Sequence, residues 1–212
     1  MGTEADTDEP DDSDADTNTD ELDRPEEVPV WDDEYFDSVG LRLLHHYDLE
    51  RDYVVEGERF ELYGRLHVLH ERHAAHPSLT FANHETEEYL FAKRIDRPTV
   101  ADIDRLEALG ERLADEWVTA NENHYSTDFT FTVVATELSD RVRERIDGYQ
   151  NRNLLKFGYF GHYEINLIAV VPEKEMTVAS KEADAEQAFR VWEPIVKREP
   201  GRLSRLISWL SR

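Results

Sequence analysis

The segment 60–68 constrains the fold more than any other part of the chain. Apolar or small residues at 60, 62, 64, 66 and 68 alternate with Glu61, Tyr63, Arg65 and His67. This period of two predicts a β-strand, because successive side chains of a strand point to opposite faces, and a helix would not keep the pattern. Shorter strands are predicted at 79–82 and 89–94, with the polar segment 83–87 as a turn, so the three form an antiparallel meander.

Helical patterns precede and follow this meander. A first helix is predicted to begin near Pro29 and Asp32, with acidic residues in its first turn. Thr99 and Asp102 resemble a capping box that opens a long helix ending before Asn121, and Ser139 is predicted to cap a third helix. A last helix of the domain is predicted over 185–192. The apolar residues of the first helix share one face: Trp31, Tyr35, Val39, Leu43, Leu44 and Tyr47.

The strand signals of the second half complete a mixed pattern. Strands are predicted at 129–136, 154–159, 163–171 and 176–179, and Gly158 and Gly161 join the second to the third. An early meander followed by strands and helices predicts an α+β or mixed α/β fold with a mostly antiparallel sheet flanked by helices. Residues 29–196 are enough for one hydrophobic core, so a single globular domain is expected.

The charge of the chain excludes some classes of function. Its 48 acidic residues exceed its 24 basic residues, which gives a formal charge of −24. A nucleic-acid-binding role through a basic surface is therefore not expected. The chain has no cysteine, so thiolate zinc sites, iron–sulfur ligation and cysteine nucleophiles are excluded. Without a long apolar run or the pattern of a signal peptide, a soluble, cytoplasmic protein is expected.

The two ends of the chain differ from the domain and from each other. Residues 1–28 contain thirteen acidic residues and one basic residue, Arg24, with little to bury, so a disordered acidic tail is predicted. Residues 197–212 contain five basic residues and one acidic residue. There Leu203, Leu206, Ile207 and Leu210 have the spacing of an amphipathic helix. So short a helix needs a surface, and three are considered: the acidic domain, a partner protein, or an anionic membrane as a peripheral contact.

The acid-rich, lysine-poor composition predicts a halophilic setting. Molar salt shortens the Debye length to about 3 Å and screens the repulsion between like charges. The chain resembles a haloarchaeal domain family of unknown function. The resemblance extends from Val30-Trp31-Asp32-Asp33 through Glu193-Pro194 and includes Leu62-Tyr63-Gly64-Arg65-Leu66 and the run from Leu155 to Glu164. It implies no activity.

The strand predicted at 163–171 carries the best-placed candidate site. Tyr163 and the alternate residues after it form one face, so His162, Glu164 and Asn166 project from the other. His162 and Glu164 are candidate catalytic residues, acting as general acid and base. They are alternatively ligands of a divalent metal, completed by His84, His124 or Asp128. A structural reading is also open, in which Glu164 pairs with an arginine and Lys156 is a nearby cation.

The functional prediction follows from what the motifs lack. The sequence contains no Walker-type glycine loop, nucleophile elbow or Rossmann fingerprint. A non-catalytic interaction or regulatory module without a cofactor is therefore predicted, with a protein partner engaged through the C-terminal helix. The alternative is a metal-dependent hydrolase that uses His162 and Glu164.

Overall fold

The computed structural model describes residues 29–70 and 84–194, and within them seven strands form one sheet flanked by four α-helices. The strands are β1 (Asp48–Val55), β2 (Glu58–His70), β3 (His84–Arg94), β4 (His124–Val134), β5 (Asn151–Leu154), β6 (His162–Val171) and β7 (Met176–Ala179). The helices are α1 (Glu34–Leu43), α2 (Val100–Trp117), α3 (Asp140–Asp147) and α4 (Glu186–Phe189). The predictions for 1–28, 79–82 and 197–212 lie outside the described residues.

The sheet is mixed and mostly antiparallel, as the sequence predicted. Its strand order is β1-β2-β3-β4-β6-β5, and β7 pairs with β6 beyond the end of β5. The two central pairings, β3 with β4 and β4 with β6, are parallel, whereas the others are antiparallel. Parallel neighbours require crossover connections, which α2 and the α3–β5 segment provide. The α+β prediction for a single domain is therefore confirmed for the described residues.

Helix ends follow the capping signals of the sequence. The Asp33 carboxylate accepts hydrogen bonds from the backbone amides of Tyr35 and Phe36 and begins α1, slightly later than predicted. Thr99 and Asp102 form the predicted capping box of α2 through reciprocal side-chain-to-backbone hydrogen bonds. Ser139 caps α3, also as predicted.

Two assignments from the sequence are wrong, and one strand was not predicted. Residues 84–87 continue β3 where a turn was predicted, because their backbone pairs with β2 and β4 on both sides. The segment 48–55 forms the edge strand β1, for which the charged sequence gave no alternating signal. The predicted strand 154–159 is instead the end of β5 followed by a 3-10 turn, since Lys156 and Phe157 have positive φ angles.

Two apolar layers cover the two faces of the sheet. Helices α2 and α3 pack on the face that carries Phe91, Phe131 and Leu167. Helix α1 and residues 183–189 cover part of the opposite face, where Leu90, Val134 and Ile168 lie. That second face turns polar toward the amino-terminal ends of β4 and β6, and the predicted site residues are found there.

Candidate functional site

A row of three carboxylates crosses the central strands of the sheet. Glu88 on β3 is in register with Asp128 on β4, which is in turn in register with Glu164 on β6. On its own strand, each of the three is followed by a core residue that points to the α2 face. The three carboxylates therefore lie on the opposite face, which α1 and α4 partly cover. Neighbouring strands are about 4.8 Å apart, so the three carboxylates are crowded.

One carboxylate oxygen of Glu164 contacts both a guanidinium group and an imidazole ring. Arg152 Nη1 is 3.0 Å and His162 Nε2 is 3.3 Å from Glu164 Oε1, and the side chain of Glu164 is only 8% exposed. Arg152 Nη2 also lies 3.4 Å from His162 Nδ1. The guanidinium group of Arg152 therefore contacts both the carboxylate of Glu164 and the ring of His162. Arg152, rather than Lys156, is thus the cation at Glu164.

Among the described residues, Asp128 has no ion pair with a basic side chain. Its Oδ1 atom is buried and has no hydrogen-bond partner among the described residues. Burial raises the pKa of Asp128 to about 8, and the nearby carboxylates of Glu88, Glu164 and Asp184 act in the same direction. Asp128 is therefore mostly protonated at neutral pH.

Glu88 completes the row at its other end. The hydroxyl group of Tyr47 donates a hydrogen bond of 2.5 Å to Glu88 Oε2. Burial raises the pKa of Glu88, and this hydrogen bond partly offsets the effect. Burial also raises the pKa of Tyr47 well above its usual value, so its hydroxyl remains a donor.

The structure separates His124 from this row. The pairing of β3 with β4 shifts register between Glu85 and Thr86, next to His124. The ring of His124 bonds to the carbonyl oxygen of Phe160 at 2.7 Å and to the hydroxyl of Thr127 at 2.9 Å. Thr127 is on the α2 face, opposite Asp128, so the imidazole is directed away from the carboxylates.

His84 is placed only by its backbone, which pairs with His70 at the far end of the β2–β3 ladder. The structure therefore brings His162, Glu164 and Asp128 to one polar face. His124 is directed away from these carboxylates, although it lines a pocket together with His162. Within residues 29–70 and 84–194, no group of three or more His, Asp or Glu side chains is arranged to hold a metal ion.

The loop between β5 and β6 displays apolar side chains in a strained backbone. Lys156, Phe157 and Gly158 all have positive φ angles, +47°, +59° and +89°. Such a conformation costs a non-glycine residue about 1–2 kcal/mol. The backbone amides of Leu155 and Tyr159 donate within the loop and hold it in place. Three of its side chains are largely exposed: Leu154 at 62%, Phe157 at 95% and Tyr159 at 86%.

Gly161 fixes this aromatic loop, defined as residues 154–161, against the sheet. Its φ angle is +74°, and a Cβ atom there would overlap the carbonyl group of Tyr125. The close approach leaves a pocket of about 330 Å³ between the loop and the start of β4, which Arg152, His162 and Tyr159 help to line. Arg152 and His162, which line this pocket, also contact Glu164 of the carboxylate row.

Sequence reasoning placed His162 and Glu164 on one strand face but did not identify Arg152 or Glu88. Arg152 and Glu88 lie on strands whose neighbours could be identified only once the order and register of the sheet were known. The two glycines of the aromatic loop were the available signal for its positive φ angles, because glycine adopts them without strain.

Comparisons with known proteins give a family but no activity. Neither the search of curated proteins nor the search of solved structures found a match. None of the helices in the described part of the chain has the length and apolar content that a membrane span requires. Residues 32–191 match the family described as Domain of unknown function (DUF8052), and they include every described strand and α-helix. The chain belongs to this family of domains of unknown function.

Proposed function

We propose that this domain is a non-catalytic interaction module that binds a partner protein through the aromatic loop. The observation that carries the proposal is the exposure of Leu154, Phe157 and Tyr159 on one short segment. Burial of large apolar side chains lowers the free energy by about 25 cal/mol per Å² of apolar surface removed from water. Aromatic residues in exposed loops on rigid scaffolds are typical anchors of protein interfaces.

The backbone of the loop supports a binding role. Lys156 and Phe157 hold left-handed conformations that ordinary side chains rarely adopt, although neither side chain packs into the core. Local strain of this kind is frequent where a protein presents side chains to a ligand. Backbone hydrogen bonds from Leu155 and Tyr159 support this loop conformation, so binding would cost little ordering entropy.

The chemistry of the loop indicates what the partner offers. Lys156 is exposed and has no ion pair among the described residues, in a chain with a formal charge of −24. A partner surface with an apolar pocket for Phe157 and a carboxylate at its rim would match both features.

The structural contacts of Glu164 explain why the predicted catalytic pair, His162 and Glu164, lies together, and they do not require a catalytic role. Arg152 and His162 both contact the carboxylate of Glu164, so a structural ion pair is sufficient to explain why these residues lie together. One observation favours the alternative, a hydrolase: burial raises the pKa of Asp128 to about 8, so its carboxyl group holds a proton near neutral pH, as a general acid does. If the chain is an enzyme, Asp128 is the acid, and Asp128→Asn abolishes turnover.

We also infer a haloarchaeal, cytoplasmic setting. Support comes from the excess of acidic residues and from the few lysines, five in the whole chain against nineteen arginines. Molar salt would screen the repulsion between the carboxylates. The same charge supports the proposal that the module does not bind nucleic acid.

A photo-crosslinking residue in place of Phe157 tests the interaction. In cells of the native host, we expect one discrete heterologous adduct, which Lys156→Glu weakens at least tenfold. The matched control places the same residue at Val54, which is 61% exposed on the edge strand β1. Equal labelling from both positions, or an adduct with the mass of two copies of this chain, would contradict the proposal.

A further inference from the structure

A second surface, distinct from the aromatic loop, lies at the β7 edge of the sheet. Helices α3 and α4 flank a groove of about 620 Å³ with strand β7 at its base. Arg143 and Glu144 line it from α3, Glu186 and Arg190 from the α4 region, and Thr177–Ala179 from β7. We call this surface the β7 groove.

The base of the β7 groove is an unpaired strand edge. Strand β7 pairs with β6 on one side, and among the described residues its backbone makes no hydrogen bond on the other. The hydroxyl oxygen of Thr177 is buried there and also lacks a partner in the described part of the chain. Natural sheets usually pair or cover such an edge.

The walls of the groove carry excess negative charge. Arg143 is paired with Asp140, and Arg190 is paired with Glu186, so both guanidinium groups are neutralised within the groove. Glu144 and Asp147 on α3 are exposed, and neither has an ion pair among the described residues. An occupant with positive charge would match these two carboxylates.

The chain itself supplies such an occupant next to the groove. The described part ends at residue 194, only four residues after Arg190, which lines the groove. Arg42 holds this segment by donating hydrogen bonds to the carbonyl oxygens of Gln187, Arg190 and Val191. The chain therefore leaves the domain from a fixed point at one wall of the groove.

We propose that the basic C-terminal segment 197–212 folds back and occupies the β7 groove. It carries five basic residues against one acidic residue, opposite in sign to Glu144 and Asp147. The nine residues from 194 to Leu203 can span about 30 Å when extended, which is enough to cross a groove of this size. Its apolar residues Leu203, Leu206 and Ile207 would cover β7, while Arg202 and Arg205 would meet the carboxylates.

Tethering favours this occupant over a separate molecule. A segment on a short linker is present near its site at an effective concentration in the millimolar range. Molar salt would weaken the charge contacts but not the apolar ones. The groove would then be covered in the full chain and open in a chain that ends at residue 196.

Hydrogen exchange of the full chain tests this proposal. The β7 amides that do not bond to β6 should be protected, and truncation after residue 196 should reduce their protection at least tenfold. Charge reversal at the groove, Glu144→Lys with Asp147→Lys, should reproduce part of this loss in 0.2 M KCl. The matched control reverses Asp115 and Glu116, which are exposed on α2, and should leave the β7 amides unchanged.

Three results would overturn the proposal. Unchanged β7 exchange after truncation would mean that the segment does not cover this edge. Protection that rises with protein concentration would assign the groove to a second copy of the chain. Protection that appears only with anionic lipid vesicles would assign the segment to a membrane surface instead of the groove.

Discussion

Asp128 and Glu164 face each other in register across the parallel strands β4 and β6, and only Glu164 has a cation beside it. Glu88 lies in the same row on the other side of Asp128. Three ionised carboxylates at this spacing would repel strongly in a site shielded from water. A proton on Asp128 and the ion pair of Glu164 with Arg152 relieve this repulsion. The three acids of the row are therefore stabilised by one proton and one arginine.

The first prediction concerns pH. The pKa of Asp128 is about 8 in the folded chain and near 3.8 when unfolded, so between these values the folded state binds a proton that the unfolded state lacks. Stability should therefore fall as pH rises from 5 to 8, with a slope of up to about 1.4 kcal/mol per unit. Urea unfolding of the wild type and Asp128→Asn at several pH values measures this slope, which the variant should largely lose. Parallel curves for the two proteins would show that Asp128 is not the responsible group.

The second prediction concerns the ion pair of Glu164. Glu164→Gln keeps the shape of the side chain but removes the negative charge that Arg152 and His162 contact. The free energy of unfolding should therefore fall by about 1–3 kcal/mol. The substitution also removes one like charge near Asp128, so the pH dependence should shift to lower pH. The control is Glu137→Gln, whose 3.5 Å pair with Arg97 is largely exposed and should contribute little. Equal losses in the two variants would refute a special role for Glu164.

The third prediction separates the two reasons for a glycine at 161. Gly161→Ala combines a positive φ angle with a collision against Tyr125 and should destabilise the domain by more than 3 kcal/mol. Gly57→Ala has the φ penalty alone, because nothing lies within 4 Å of its added Cβ, and should cost about 1 kcal/mol. Gly148→Ala has neither problem and should be near neutral. Denaturant midpoints that do not follow this order would contradict the geometry of the aromatic loop.

The fourth prediction concerns salt. With a formal charge of −24, the melting temperature should rise by about 10 °C or more between 0.1 and 2 M KCl, because salt screens the repulsion between carboxylates. Removal of residues 1–28 halves the net charge and should make this dependence shallower. Calorimetry of both chains measures the two slopes, and a melting temperature that is flat in salt would refute the halophilic interpretation.

Local signals predicted much of the fold. The alternation at 60–68 gave β2, and Thr99, Asp102 and Ser139 gave the starts of α2 and α3, because capping and alternation depend on neighbours in the sequence. Strand β1 was missed because one edge of it is exposed, so charged residues interrupt the apolar pattern. The parallel pairing of β3 with β4 joins segments about 40 residues apart and leaves no local signal.

The candidate site was predicted in part for the same reason. The shared face of His162 and Glu164 follows from the two-residue period of one strand. The position of Asp128 beside Glu164 depends on the register between strands. The orientation of His124 away from these carboxylates depends on the register shift at Thr86. The sequence predicts a strand at 154–159 because Leu154, Phe157 and Tyr159 are apolar and aromatic, whereas the close approach of Gly161 to Tyr125 is a contact between distant segments that leaves no local signal.

The parallel centre of the sheet has a consequence for how the chain folds. Phe91 and Phe131 stack at 5.0 Å across β3 and β4, but the intervening 39 residues, which include α2, must close as a loop before the two rings meet. The antiparallel β1–β2 hairpin can form early, since its closure is local. Loop closure over long stretches slows folding, so the rate of this domain is expected to depend on the arrival of β4 and β6. Mutations in the Phe91–Phe131 contact should therefore slow folding more than mutations in the hairpin.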